Sequence, residues 1–224
     1  MRLLTEILQH VIVVVEILSA ITALSTFSKW KGTDWRYFIF YLCFIAVAES
    51  IGWLLRENGF YTWLWRWYTY GVIPAEFLFF FWFFYKLMPV KRVKRLAMVA
   101  AISFVVAFIL EAFKLKDLTV GFLPNNYLVG NIFLLVFIFM YLNHLTNEQH
   151  IVTMYYDFGF WFSLILMMFY MLTCPFYGFI NILGKTKSYS LLLNTTLLLN
   201  ILMYLSFSIA LIWSKPKPNS KIYR

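Results

Sequence analysis

Three carboxylates interrupt long apolar runs: Glu16 in VIVVVEILSAI, Glu49 in AVAESIGW and Glu76 in VIPAEFLFFF. An ionised carboxylate deep in a bilayer costs at least ~2.5–3.5 kcal/mol on insertion scales, so such a group faces a bundle interior or a wet cavity. Asn131, Asn194 and Asn200 also sit inside apolar runs. At a rise of ~1.5 Å per residue, these six residues fall between the outer half and the midplane of five different helices. No Lys or Arg lies equally deep, and the nearest, Arg56 and Arg66, stand at the rim. Three outcomes follow for the acids. They carry protons, they accept hydrogen bonds from Asn, Ser, Thr or Tyr, or they take a cation from outside: a proton, a metal ion or an organic amine. The plainer alternative is that polar groups join helices through hydrogen bonds worth about 1 kcal/mol each. Glu111, at the end of its apolar run, reads as an interfacial partner of Lys114.

Pro74, two residues before Glu76, and Pro175, beside Thr173 and Cys174, each remove a backbone donor inside an apolar run. Both are hinge candidates, because a proline in a helix frees a carbonyl and bends the axis. The run FLFFFWFFY reads as lipid-facing and packing surface, or as an aromatic wall for a cation. His10, His144 and His150 lack the i, i+4 spacing of a helical metal pair, and Cys43 and Cys174 read as core residues with no disulfide or zinc framework. G-x-S-x-G, P-loop and C-x-x-C motifs are absent from the sequence. No metal or cofactor is expected, and an enzyme is the less favoured class.

The elements that must position the acids are membrane helices. Of 224 residues 62% are hydrophobic and 13% charged, against roughly 25% charged in a soluble domain. Apolar runs predict an all-α bundle of seven spans, near 8–28, 37–55, 68–88, 96–113, 127–145, 157–183 and 189–213. Residues 1–213 are then one transmembrane domain, and 214–224 a short basic tail. Glu16 and the length of the first run argue against a cleaved leader. With the N-terminus outside, Lys29, Lys31, Arg36, Lys86, Lys91, Arg92, Lys94, Arg95, Lys215, Lys217, Lys221 and Arg224 fall inside, twelve of the 19 bases. The positive-inside rule therefore predicts N-out and C-in, in a plasma membrane of the bacterial type. The net charge of +9 is then topological and implies no nucleic acid. Trp53, Trp63, Trp65 and Trp67 form an expected outer girdle; Trp30, Trp35, Tyr85 and Trp213 form an inner one.

Seven spans with this orientation prompt a comparison with microbial rhodopsins. Arg66, Trp67, Tyr68 and Tyr70 are loosely similar to their third helix, and Pro175 to their kinked sixth. The seventh span holds no lysine for a retinal Schiff base, so a pigment is excluded. A three-plus-one-plus-three transporter plan would pair Glu76 with Asn200, but the two halves share no matching sequence. The expected function is a receptor-like sensor. A polar cavity opening outward and lined by the six residues would bind a small ligand, with cations favoured, and signal to a separate cytoplasmic protein. The alternatives are a proton- or cation-coupled transporter using the same acids, or a structural or pore-forming subunit joined to copies of itself.

Overall fold

The computed structural model describes residues 2–88, 90–114, 124–148, 155–183 and 188–216. Every extended element in it is helical, and seven helices are long and apolar enough to cross a membrane. They run Arg2–Ser25, Arg36–Glu57, Tyr61–Leu87, Lys91–Lys114, Pro124–Glu148, Phe158–Leu183 and Ser188–Trp213. A short helix, Phe27–Trp30, follows the first. The protein is a multi-pass membrane protein by length and composition of these helices.

The boundaries correct the sequence reading at several ends. The third span begins at Tyr61, so TWLWRW belongs to it and not to a loop. Gly59, at φ 74°, makes the reversal after Glu57, and nothing between Tyr61 and Ile73 breaks a helix. The fourth span begins at Lys91, taking in most of VKRVKR, because Lys and Arg are good helix formers and an α-helix need not stop at the membrane surface. Pro124 opens the fifth span, where its missing N–H costs nothing. Asp157 starts the sixth: its Oδ1 accepts the Gly159 N–H at 2.8 Å.

Consecutive spans are neighbours, and the first packs on the seventh, closing a ring. The third span turns one face into the bundle. Its aromatic rings meet Tyr41 of the second span, Phe104 of the fourth, Tyr127 and Phe137 of the fifth, and Phe162 and Tyr170 of the sixth. FLFFFWFFY is thus mainly core. Phe77, Phe80, Phe81, Phe83 and Phe84 are buried, and only Leu78, Trp82 and Tyr85 are exposed. Gly130 lets the third, fourth and fifth spans approach, since a Cβ there would stand 2.8 Å from Phe77 and 2.9 Å from Phe104.

Two of the expected girdle residues are core instead. Trp30 packs on Phe158, and Trp35 on Phe83, Phe158 and Phe162, both deeply buried. Trp63, Trp65 and Trp213 are exposed, as a girdle requires. At the end of the bundle opposite the N-terminus, Lys29 Nζ donates to Leu211 O and Ile212 O at 2.9 and 2.8 Å. It thereby caps the seventh span, where a cation suits the helix C-terminus. Partial burial lowers the pKa of that ammonium. Lys215 N–H donates to Tyr156 O at 2.9 Å, tying the start of the tail down; its remaining residues lie outside those described.

Glu111 caps the start of the fifth span, and the side chain of Lys114, its expected partner, lies outside those described. Its Oε1 and Oε2 accept the backbone N–H groups of Asn125 and Asn126 at 3.1 and 2.7 Å, and Oε1 also accepts Asn125 Nδ2. The carboxylate of one span therefore caps the next. Glu111→Ala is expected to cost about 1–2 kcal/mol through the lost cap, read as a lower unfolding midpoint, with Glu111→Gln losing less.

Candidate functional site

The structure brings Glu16, Glu49 and Glu76 into one electrostatic neighbourhood, from the first, second and third spans. Tyr41, Tyr68 and Tyr204 lie in the same neighbourhood, and Tyr170 joins it at Glu76. Glu16 is 3% exposed, while Glu49 and Glu76 are half-buried.

Glu49 is held by an unusual stretch of backbone. Trp67–Val72 is a π-helical turn, with Ile73 N–H donating to Tyr68 O five residues back. Pro74 follows directly and has no N–H to give, so the wider turn absorbs the missing α-helical bond. The turn aims two side chains at the second span. Trp67 Nε1 donates to Ala48 O at 3.0 Å, and Tyr68 OH donates to Glu49 Oε2 at 2.5 Å. Gly52, one turn beyond Glu49, makes room: a Cβ there would collide with the Tyr68 hydroxyl. Arg56 acts on Glu49 and Tyr68 through space without a direct ion pair. Gly52→Ala is expected to push Tyr68 off Glu49 without changing any charge. Tyrosine fluorescence and the unfolding midpoint should change, and Tyr68→Phe should reproduce the loss of that bond with Gly52 intact.

Glu76 receives Tyr170 OH at 2.5 Å from the sixth span, and Tyr41 turns its hydroxyl to the same carboxyl from the second. Three spans thus meet at one acid. Asn131, fully buried, donates Nδ2 to Tyr170 O at 3.3 Å, so it supports the residue that binds Glu76. Its Oδ1 has no partner. Glu16 differs from the other two acids, because its Oε2 is buried without a hydrogen-bond partner. Ser19 Oγ, one turn along the same helix, is also buried and unpartnered.

The remaining polar candidates are placed differently. Asn194 Oδ1 accepts Thr5 Oγ1 at 2.8 Å. Thr5 is eleven residues, or about 16 Å of helix, from Glu16, so this bond joins the first and seventh spans near their N-terminal face. Asn200 Nδ2 donates to Thr196 O of its own helix at 3.2 Å. Tyr204, one turn further along, is the seventh-span residue that reaches the acids. Pro175 lies inside the continuous sixth helix, where Thr173 Oγ1 donates to Phe169 O at 2.9 Å. His144 is half-buried, and His150 lies outside the described residues. His10, on the N-terminal face, stands 3.5 Å from Glu57.

Tyr41, Tyr170, Tyr204 and Gly52 were not among the residues singled out by sequence, and Tyr68 was named only in the comparison with rhodopsins. The usable signal was depth: Tyr41, Tyr170 and Tyr204 stand inside apolar runs, where a phenol needs a partner for its hydroxyl. Among the described residues, no three His, Cys, Asp or Glu side chains are spaced to hold one metal ion. The chain matches no protein-family model, no curated protein and no solved structure.

Proposed function

We infer that the protein is a small receptor-like membrane sensor that binds a cation between Glu16, Glu49 and Glu76. The observation that carries this is the convergence of three carboxylates from three spans, ringed by tyrosines, with no Lys or Arg among the described residues bonded to any of them. Buried acids in a membrane are costly and mark ion, proton or ligand sites by default. Asn131 is a supporting residue for the site, while Asn194 and Asn200 tune the seventh span that carries Tyr204.

The ligand enters from the N-terminal face, which this reading places outside, with the C-terminus inside, in a plasma membrane. The surplus of Lys and Arg at the opposite end supports that orientation. The 2.5 Å bond from Tyr170 to Glu76 joins the two spans that carry Pro74 and Pro175. Occupancy at Glu76 biases that pair, and the shift passes to a separate protein at the opposite face, near Lys91–Arg95 and His144. The same bond favours a second reading, a proton- or cation-coupled transporter, in which protonation of Glu76 releases Tyr170 and changes access.

Thermal unfolding of the detergent-purified protein, scanned over pH and a panel of amines and metal ions, tests the site. A cation should raise the wild-type midpoint and leave Glu76→Gln unmoved. Solute uptake by liposomes holding the protein alone would select the transporter. A large loss of stability in Glu76→Gln, with no cation response in wild type, would make the cluster a joint between helices and overturn both readings.

A further inference from the structure

We propose that an anionic phospholipid binds at the end of the bundle where the second, third and fourth spans meet, its phosphate held by Arg36, Lys86 and Lys94. This site lies apart from the acid cluster and does not depend on the reading of it. Within the largely buried aromatic run of the third span, Leu78, Trp82 and Tyr85 are exposed, at 37%, 43% and 38%. Their spacing of four and then three residues sets them in one stripe along the helix. In a chain whose spans cross a membrane, that stripe faces lipid. The second span borders it on one side, where Tyr37 meets Trp82 edge-on at 5.2 Å. The fourth span borders it on the other, where Lys94 Nζ stands 5.2 Å from the centre of the Tyr85 ring.

Cations crown the stripe. Lys86 Nζ stands 3.7 Å from the centre of the Tyr37 ring and 5.5 Å from that of Trp82. The Arg36 guanidinium lies 4.8 Å from the same Tyr37 ring and donates to its hydroxyl at 2.8 Å. One acid answers them: Asp34 Oδ1 is 3.5 Å from Lys86 Nζ, with both side chains partly exposed. An exposed pair of that kind contributes little, so a phosphate can compete for the ammonium. No other acid among the described residues pairs with Arg36, Lys86 or Lys94. Lys91, Arg92 and Arg95, exposed at the start of the fourth span, add to the positive field. Trp and Tyr rings that face lipid mark the headgroup level. Cations at that level, above an apolar stripe, match a phosphate that carries acyl chains. The phosphate takes charge-assisted bonds from the ammonium and guanidinium groups, and the chains lie along Leu78 and Trp82. A free anion gains the first contact alone, and an acidic protein segment cannot follow the stripe into the bilayer.

The test offers the full-length protein in neutral detergent equal amounts of phosphatidylglycerol and phosphatidylcholine with the same chains, and native mass spectrometry counts the lipid retained. Phosphatidylglycerol should be retained in preference. Lys86→Gln and Lys94→Gln should each weaken its binding about fivefold, the share of one base near a charged lipid surface. Asp34→Asn should strengthen it, because the carboxylate that competes for Lys86 is gone, and a variant that merely misfolded would not bind more. Lys215→Gln is the control. It removes one charge from the same end of the bundle, at an exposed residue that lies over Tyr156 and away from these three spans, and should leave binding unchanged. An equal loss in Lys215→Gln would overturn the site and leave only an attraction to net charge. Equal retention of the two lipids would overturn the anionic headgroup. Displacement of phosphatidylglycerol by inorganic phosphate or by a polyglutamate peptide at equal concentration would overturn the lipid, in favour of a soluble anion or an acidic protein segment.

Discussion

Glu16→Leu should make the protein more stable and, at the same time, unresponsive to cations. Glu16 keeps a carboxyl oxygen buried and unpartnered, and an unsatisfied buried polar group costs about 1–3 kcal/mol. Replacing a buried ionisable group by an apolar side chain of similar volume is often stabilising by ~1–4 kcal/mol. The gain expected here is about 1–3 kcal/mol, read as a higher unfolding midpoint in ligand-free detergent. Stability held back at one residue and recovered by removing it is the mark of a site kept for binding. Were the cluster a joint between helices, the same substitution would lower the midpoint. The sign of one number therefore separates a binding site from a rivet. Glu76→Leu is the useful contrast: it strands the Tyr170 hydroxyl, fully buried against the third span, and should be destabilising.

Gly130→Ala should force the third, fourth and fifth spans apart and lower the unfolding midpoint. Its Cβ would lie 2.8 Å from Phe77 and 2.9 Å from Phe104, both rings buried and each wedged by others. Neither is the free end of a flexible chain, so the spans must part. Overpacking of this kind costs typically 1–3 kcal/mol, and about 3 or more is expected for the branched Gly130→Val. Gly71→Ala is the control. A Cβ there meets only Trp67, at an ordinary 3.7 Å, and should change the midpoint little. Equal effects from the two alanine variants would mean that the close approach at Gly130 is not what holds the third, fourth and fifth spans together.

Much of the fold was legible because a membrane imposes a simple rule. A run of about 20 apolar residues must be a helix, since lipid offers no partner for backbone polar groups. The ends were less legible. The third span reaches back to Tyr61 because aromatic residues serve a helix and an interfacial loop equally well, and composition does not distinguish them. The acids stood out for the reason they matter: a carboxylate in an apolar run is expensive. Their partners did not. Which residue meets which depends on the rotation and neighbour order of each helix, and local sequence records neither. Tyr68 reaches Glu49 only because a π-helical turn and Gly52 set its phase and its space. Asn194 and Asn131, similar in depth by residue count, were separated by the same geometry, one to a joint near the N-terminal face and one behind Tyr170.

The closure of the ring has a consequence for how the chain is made. Lys29 binds carbonyls 182 and 183 positions further on, and Thr5 binds Asn194 across 189. At about 5–20 residues per second, the ribosome needs roughly 10–40 s to supply the seventh span after the first has emerged. Through that interval Glu16 has no Tyr204 beside it, and the face that will meet the seventh span has only lipid or the insertion machinery for company. The packing of the first span on the seventh is thus a late event of the protein's synthesis, and a chain stopped before Ser188 should lack it.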